Sequence, residues 1–208
     1  MATRFAWKTT LVLTLATTLL TGCLGPRTLS PTRYYHLNLP APEAVAEKPS
    51  PISLGLRPLF PALHIERSMA YRETGNTIAY REEEWAEKPA DMVLQALRNA
   101  LDASGAFHDV GYAGDMARPD WVLTGEVNRF NENRTQKLPT AELEVRLEVR
   151  TTLGIDPVWS KTLSVTTEMP DGGASALAQA MSEALAQLTQ EATTQIVDAI
   201  GTQKTNGE

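Results

Sequence analysis

The chain has 208 residues, of which 42% are hydrophobic and 21% are charged, a balance that is ordinary for a globular protein with its own core. The formal net charge at pH 7 is −6, and no cluster of basic residues offsets it, which argues against binding to nucleic acid and against electrostatic adhesion to anionic lipid. A single cysteine, Cys23, excludes an intramolecular disulfide bond.

The beginning of the chain has the three parts of a bacterial lipoprotein signal peptide. Arg4 and Lys8 form a short positive segment, an apolar run follows over residues 11–20, and small residues precede Cys23. We predict that residues 1–22 are a signal peptide and that the sulfur of Cys23 carries a diacylglycerol after cleavage. The residues that the signal peptidase would recognise are Leu20, Thr21 and Gly22.

An uncleaved transmembrane anchor is the alternative interpretation of the same segment. The apolar run is about a dozen residues long, whereas a helix needs roughly 20 residues to cross a bilayer, so the lipoprotein interpretation is favoured. Leu24 follows the cysteine, and in diderm bacteria an aspartate at that position often retains a lipoprotein in the inner membrane. We therefore expect an envelope protein that is attached by its lipid to the outer membrane and faces the periplasm.

Residues 23–33 are predicted to form a lipidated tether rich in Pro, Gly, Ser and Thr, which reaches at most about 35 Å when extended. A helix is predicted to begin at Pro89 and to end at Ser104-Gly105. Alternating apolar residues and turn signals predict short strands on both sides of it. These strands cover residues 34–39, residues 52–56, two stretches around Gly75-Asn76 within 68–80, and residues 107–112.

The second half of the chain predicts three longer strands with short connections, and hence an antiparallel meander. The first strand covers residues 121–130 and the second covers residues 141–153, while the polar residues 131–140 between them are expected to form a protruding loop. The apolar face consists of Leu143, Val145, Leu147 and Val149 in the second strand and of Trp159, Leu163 and Val165 in the third.

A long helix is predicted from Ala174 to Ile200, and a disordered tail is predicted over residues 203–208. The apolar stripe of this helix either covers the sheet or docks against a partner helix or lipid. We favour the first, because the apolar face of the sheet must be shielded from water. The predicted fold is α+β, a mostly antiparallel sheet with two helices packed on one face, in a single domain over residues 34–202.

The sequence contains no recognisable catalytic or metal-binding pattern. His36, His64 and His108 do not have the spacing of metal ligands, and no second cysteine is present. No nucleophile motif accompanies them, so a hydrolase is the least favoured function. Gly172-Gly173 lacks the lysine and the spacing of a phosphate-binding loop. We predict a protein that is not an enzyme and that uses no metal and no cofactor.

Three aromatic residues are the candidates for docking a partner. Trp85 either forms an anchor on the surface or packs against the start of the next helix, and the sequence leaves both interpretations open. Tyr71 and Tyr80 are the other two docking candidates. The acidic run Glu82-Glu83-Glu84 is most simply a solvated segment, and the alternative is a site for a cation or a basic partner.

The succession of these segments resembles a known family. A lipobox ending at Cys23 is followed by Tyr34-Tyr35-His36-Leu37, by Ile52-Ser53-Leu54-Gly55-Leu56-Arg57-Pro58, and by Glu84-Trp85-Ala86-Glu87 running into a helix. Over roughly residues 20 to 200 the chain is similar to the ABC-type transport auxiliary lipoproteins, which are encoded with lipid transport systems of the mammalian-cell-entry (MCE) type. It departs from the family pattern at Ile65-Glu66-Arg67-Ser68 and at the additional Lys88.

The resemblance implies a non-enzymatic component that docks a periplasmic MCE-domain protein at the outer membrane. With an ABC permease and ATPase, the two proteins would move phospholipid or other hydrophobic molecules between membranes. Contact with phospholipid and formation of a homo-oligomer are further expectations. An envelope assembly or scaffold lipoprotein unrelated to transport is the alternative function.

Overall fold

The computed structural model of the protein describes residues 31–46, 49–75 and 77–206. The predicted signal peptide, with its recognition residues and Cys23, lies outside the described residues, and its assignment stays a prediction. No helix within the described part of the chain has both the length and the apolar character needed to cross a bilayer.

The described residues form nine strands and two helices. The strands are β1 (Tyr34–Tyr35), β2 (Ser50–Leu56), β3 (Phe60–Pro61), β4 (Ser68–Arg72), β5 (Ile78–Trp85), β6 (Phe107–Tyr112), β7 (Trp121–Asn133), β8 (Thr140–Thr151) and β9 (Trp159–Glu168). The helices are α1 (Pro89–Ala103), between β5 and β6, and α2 (Ala174–Asn206), after β9. The fold is therefore α+β, as predicted.

Strand β7 is the centre of the sheet. Along one edge it pairs with β8, which pairs in turn with β9, and this antiparallel meander confirms the prediction for the second half of the chain. Along its other edge, β7 pairs in parallel with β2, β3 and β4 in chain order. The sheet continues from β2 to β6, and from β4 through β5 to β1. One long strand thus holds together segments from both halves of the chain.

The sheet is mixed, although its long ladders are antiparallel. The β4–β5 hairpin is antiparallel and turns at Gly75, whose φ of 83° is favourable for glycine. Five of the pairings are parallel and involve the short strands β1 to β4 and β6. These strands return to the sheet through long connections or through α1, and such crossovers produce parallel neighbours.

Both helices cover the apolar face of the sheet. The alternation in β8 places its four predicted apolar residues in the core, where each is at most 1% exposed. From α2, Leu177, Met181 and Leu185 are fully buried against this face, so the stripe of the long helix covers the sheet. Burial of each such side chain contributes about 1.5–3 kcal/mol, which makes this layer the main source of stability.

Helix α1 begins and ends where the sequence predicts. Pro89 is its first residue, where the missing backbone N–H costs no hydrogen bond. At the other end, the hydroxyl of Ser104 donates to the carbonyl oxygen of Leu101, and Gly105 adopts a positive φ of 69° that stops the helix. These local signals are sufficient to set both ends of the helix.

The prediction of a protruding loop over residues 131–140 is wrong at its beginning. Strand β7 continues to Asn133, and Asn131, Glu132 and Asn133 are at most 5% exposed. Polar residues usually indicate a solvated loop, but here the side chains of Glu132 and Asn133 have hydrogen-bond partners from other elements. The loop is limited to residues 134–139.

Two further boundaries differ from the prediction. Strand β1 ends at Tyr35 instead of residue 39, because the chain leaves the sheet before Pro40 and crosses the helices. Helix α2 continues through the first part of the predicted tail to Asn206. No proline follows Ile200, and the next glycine after Gly201 is Gly207, so no strong stop signal ends the helix earlier.

A Gly125→Ala substitution is expected to lower the free energy of unfolding by about 1–3 kcal/mol, because an added methyl group would overpack the contact between the middle of β7 and β8. The methyl group would clash with the carbonyl oxygen of Arg146 in β8 and lie 2.9 Å from Leu147 Cδ2. Gly114→Ala is the matched control, since nothing lies within 4 Å of its added methyl group. Urea unfolding measures both variants, and equal stabilities would contradict the expected clash.

Candidate partner-docking surface

Trp85 is a core residue. It is 1% exposed, and its ring packs edge-to-face on Phe130 with the ring centroids 5.2 Å apart. Strand β5 continues through the acidic run Glu82-Glu83-Glu84 to Trp85. Side chains alternate between the two faces of a strand, and this alternation directs Trp85 inward. The interpretation of Trp85 as a surface anchor is therefore wrong, because the ring is buried against Phe130 of β7. The alternative, packing against the start of α1, stays a prediction.

Tyr71 and Tyr80 lie on opposite faces of the sheet. Tyr71 of β4 pairs with Ala79 of β5, so the next residue, Tyr80, points the other way. Tyr71 is half-buried and its ring lies beside the guanidinium of Arg134, 3.7 Å from Cζ to the ring centroid. The three predicted docking residues thus have three different environments, and only Tyr80 is openly exposed.

The surroundings of Tyr80 have the composition of a docking surface. Its hydroxyl donates to the carbonyl oxygen of His64 over 3.2 Å, which ties β5 to the connection between β3 and β4. On this connection and on β3, Leu63 is 100% exposed and Phe60 is 71% exposed. We call Phe60, Leu63 and Tyr80 the exposed apolar edge. Apolar side chains gathered on a surface mark interaction sites more often than single ones do.

Arg67, just before β4, and Tyr34, in β1, contact each other beside β5. The guanidinium of Arg67 stacks 5.2 Å above the ring of Tyr34, which is 54% exposed. Arg67 also donates from Nε to the carbonyl oxygen of Trp85 and lies 3.8 Å from the carboxylate of Glu84. These contacts hold an Arg–Tyr pair in a defined orientation, and both residue types are enriched in protein–protein hot spots.

A buried carboxylate lies on the helix-covered face beside Tyr71. The side chain of Glu132 is 0% exposed and accepts hydrogen bonds from Arg81 over 2.5 Å and from Arg134 Nε over 2.7 Å. Arg81 also donates to the carbonyl oxygen of Gly172, in the connection that leads into α2. We call Glu132, Arg81, Arg134, Tyr71 and Gly172 the Glu132 cluster. It joins β4, β5, β7 and the start of α2.

The interaction with Glu132 favours the charged form of Arg134. The hydrogen bond to Glu132 is the largest cause that raises the pKa of Arg134 above its usual value. An added methyl group on Gly172 would lie 3.1 Å from the Glu132 carboxylate, so the glycine permits this close approach. The cluster was not predicted from the sequence, although one signal exists: Glu132 is two residues from Phe130 and thus continues a core-facing position.

The three histidines lie on three separate segments of the fold. His36, His64 and His108 lie on the segment after β1, on the β3–β4 connection and on β6, respectively. Within the described part of the chain, no three His, Cys, Asp or Glu side chains are grouped as metal ligands.

The model of a family described as the ABC-type transport auxiliary lipoprotein component matches residues 35–193 of the chain. The chain belongs to this family. The predicted family membership is thus confirmed. The family is defined as an auxiliary component of transport and not as a class of enzymes. No curated protein is similar enough to the auxiliary lipoprotein to count as a match.

Solved structures confirm the fold of the auxiliary lipoprotein. A Xanthomonas campestris protein of family DUF330 aligns with a TM-score of 0.75 and 22% identity, over 84% of this chain and 99% of its own. The hypothetical protein CT253 of Chlamydia trachomatis aligns with a TM-score of 0.52 and 9% identity, over 73% of this chain and 98% of its own. At these identities the likeness concerns the fold alone.

Proposed function

We propose that this auxiliary lipoprotein is the outer-membrane docking component of an MCE-type lipid transport system. In this proposal Cys23 carries the lipid anchor, residues 1–22 are removed, and residues 23–33 tether the domain to the periplasmic side of the outer membrane. The domain docks a periplasmic MCE-domain protein that is coupled to an ABC permease and ATPase. The family match over residues 35–193 is the observation that carries the proposal.

The exposed apolar edge is the docking surface in this proposal. Phe60, Leu63 and Tyr80 expose apolar surface to water. Removing this surface from water on docking would be favourable. The stacked Tyr34 and Arg67 supply polar contacts beside it. Of the other candidates, Tyr71 acts through the Glu132 cluster, which holds β4 and β5 in place, and does not itself form the main contact.

A Leu63→Asp substitution is expected to weaken the capture of the MCE-domain partner by about tenfold or more, because a carboxylate at the edge would be desolvated on docking. The matched control is Leu153→Asp, since Leu153 is also an exposed leucine (79%) but lies in the β8–β9 connection. Co-purification of the partner from cells, quantified against the unmodified chain, measures the effect. Equal losses in both variants would exclude the edge as the docking surface.

Photocrosslinking identifies the partner itself. A crosslinking amino acid at Tyr80 is expected to trap an MCE-domain protein, whereas the same amino acid at the exposed Gln187 of α2 is expected not to trap it. If Tyr80 trapped only peptidoglycan enzymes or assembly factors, the alternative of an envelope scaffold lipoprotein unrelated to transport would replace the proposal.

A further inference from the structure

The segment that follows β1 forms a strap across the two helices. At its beginning the backbone N–H of Asn38 donates to the hydroxyl of Ser182 in α2, over 3.0 Å. At its end the N–H groups of Val45 and Ala46 both donate to the carbonyl oxygen of Ser104, over 2.9 Å. Between these anchors, residues 39–44 make no backbone hydrogen bond to another described residue. The strap is therefore held at both ends and open in the middle.

A cavity of about 610 Å³ lies between the strap, α1 and α2, within the range of ligand-binding pockets. Its apolar lining comes from both helices and from the strap, and it includes Leu37, Leu39, Met92, Ala96 and Ala186. The cavity is on the outer side of the helical layer, whereas the exposed apolar edge belongs to the strands. It is thus a second site, separate from the proposed docking surface.

Five polar side chains that line the cavity are exposed to solvent and are therefore accessible to a ligand. They are the amides of Gln95, Asn99 and Gln190 and the carboxylates of Glu43 and Glu87. None of these five side chains makes a hydrogen bond or ion pair with another described residue. No Lys or Arg is among the described residues that line the cavity. The cavity therefore combines apolar contacts, amide donors and acceptors, and uncompensated negative charge.

We propose that this cavity binds an extended, basic segment of a partner protein, with apolar side chains flanking a lysine or arginine. The cation would pair with Glu43 and Glu87, and the peptide groups would bond to the three amides and to the free backbone of the strap. A phospholipid fits less well, because its phosphate would be repelled by the carboxylates and its acyl chains would leave the amides unpaired.

The test uses short fluorescent peptides in which leucine and alanine surround a central lysine, glutamine or glutamate. The mature chain is expected to bind the lysine peptide at least about tenfold more tightly than the glutamate peptide, and added salt is expected to reduce this preference. In a Glu43→Lys/Glu87→Lys variant the preference is expected to reverse. Both glutamates are exposed, so the variant is expected to keep its fold, which thermal unfolding would check.

A second variant tests the cavity itself. Ala96→Trp would fill the space between the helices and the strap, and it is expected to abolish peptide binding while capture at the exposed apolar edge persists. Absence of saturable binding by the unmodified chain, or a charge preference that does not reverse, would overturn the proposal. So would displacement of the peptide by a fluorescent fatty acid. If Arg27→Glu in the tether raised peptide affinity, the occupant would be this chain's own tether and not a partner.

Discussion

A Cys23→Ala variant of the chain is expected to leave the membrane fraction and to appear in the soluble periplasmic fraction. Without the thiol, no diacylglycerol can be attached, and buried acyl chains supply about 0.8 kcal/mol per methylene group to membrane binding. The net charge of −6 offers no substitute attraction to anionic lipid. Cell fractionation and labelling with radioactive palmitate measure the two consequences, loss of attachment and loss of acylation.

The design must prevent an uncleaved leader from holding the variant in the membrane. Residues 1–22 are therefore exchanged, in the Cys23→Ala chain, for a leader that ordinary signal peptidase removes. Leu24→Asp in the chain that keeps Cys23 and its natural leader is the control, because it preserves lipidation and, by the sorting rule for diderm lipoproteins, is expected to move the protein to the inner membrane. A Cys23→Ala chain that still fractionates with membranes would show that the lipid-anchor prediction is wrong.

A Glu132→Ala variant is expected to lose about 3–5 kcal/mol of unfolding free energy, because the substitution leaves two arginines partly buried without their counter-ion. The side chains of Arg81 and Arg134 are only 14% and 29% exposed, and both bond to the same carboxylate. Chemical unfolding followed by circular dichroism measures the loss. Thermal unfolding gives an independent value, since each kcal/mol lowers Tm by roughly 2–4 °C in a domain of this size.

Glu144→Ala is the matched control for the Glu132 cluster. Glu144 also pairs with an arginine, Arg129, over 3.3 Å, but that guanidinium is 54% exposed, and an exposed ion pair contributes at most about 1 kcal/mol. A triple variant with Arg81→Met, Glu132→Leu and Arg134→Met is expected to be more stable than Glu132→Ala, since it leaves no unpaired charge. Similar losses in Glu132→Ala and Glu144→Ala would contradict a special role of the buried carboxylate.

Local patterns were sufficient to predict the meander and the ends of α1. In β8, apolar residues alternate with charged ones over the whole strand, and this pattern has one explanation, a sheet with one covered face. Pro89 acts through its fixed φ and its missing N–H, and Gly105 acts through its freedom to adopt a positive φ. Neither effect depends on distant residues. The environment of Trp85 could not be decided in the same way, since it depends on the continuation of β5 through three glutamates.

The sites depend on neighbours that are distant in the sequence. Glu132 resembles a loop residue until Arg81 and the carbonyl oxygen of Gly172 are placed beside it. The cavity requires the strap to cross both helices, and its anchors are Ser104 and Ser182. Periodicity reports which face of an element is apolar, but it does not report which other element lies against that face.

The sequence by itself determined the family, the α+β class and the covered face of the sheet, because each follows from a local motif or a repeating pattern, and it predicts lipidation at Cys23. Only the tertiary structure decided that β2, β3 and β4 lie in parallel along β7, that Trp85 and Glu132 are buried, and that Tyr80 belongs to an exposed apolar edge. The physical reason is that burial and pairing are properties of two segments in contact, and the identity of the second segment is not encoded in the first.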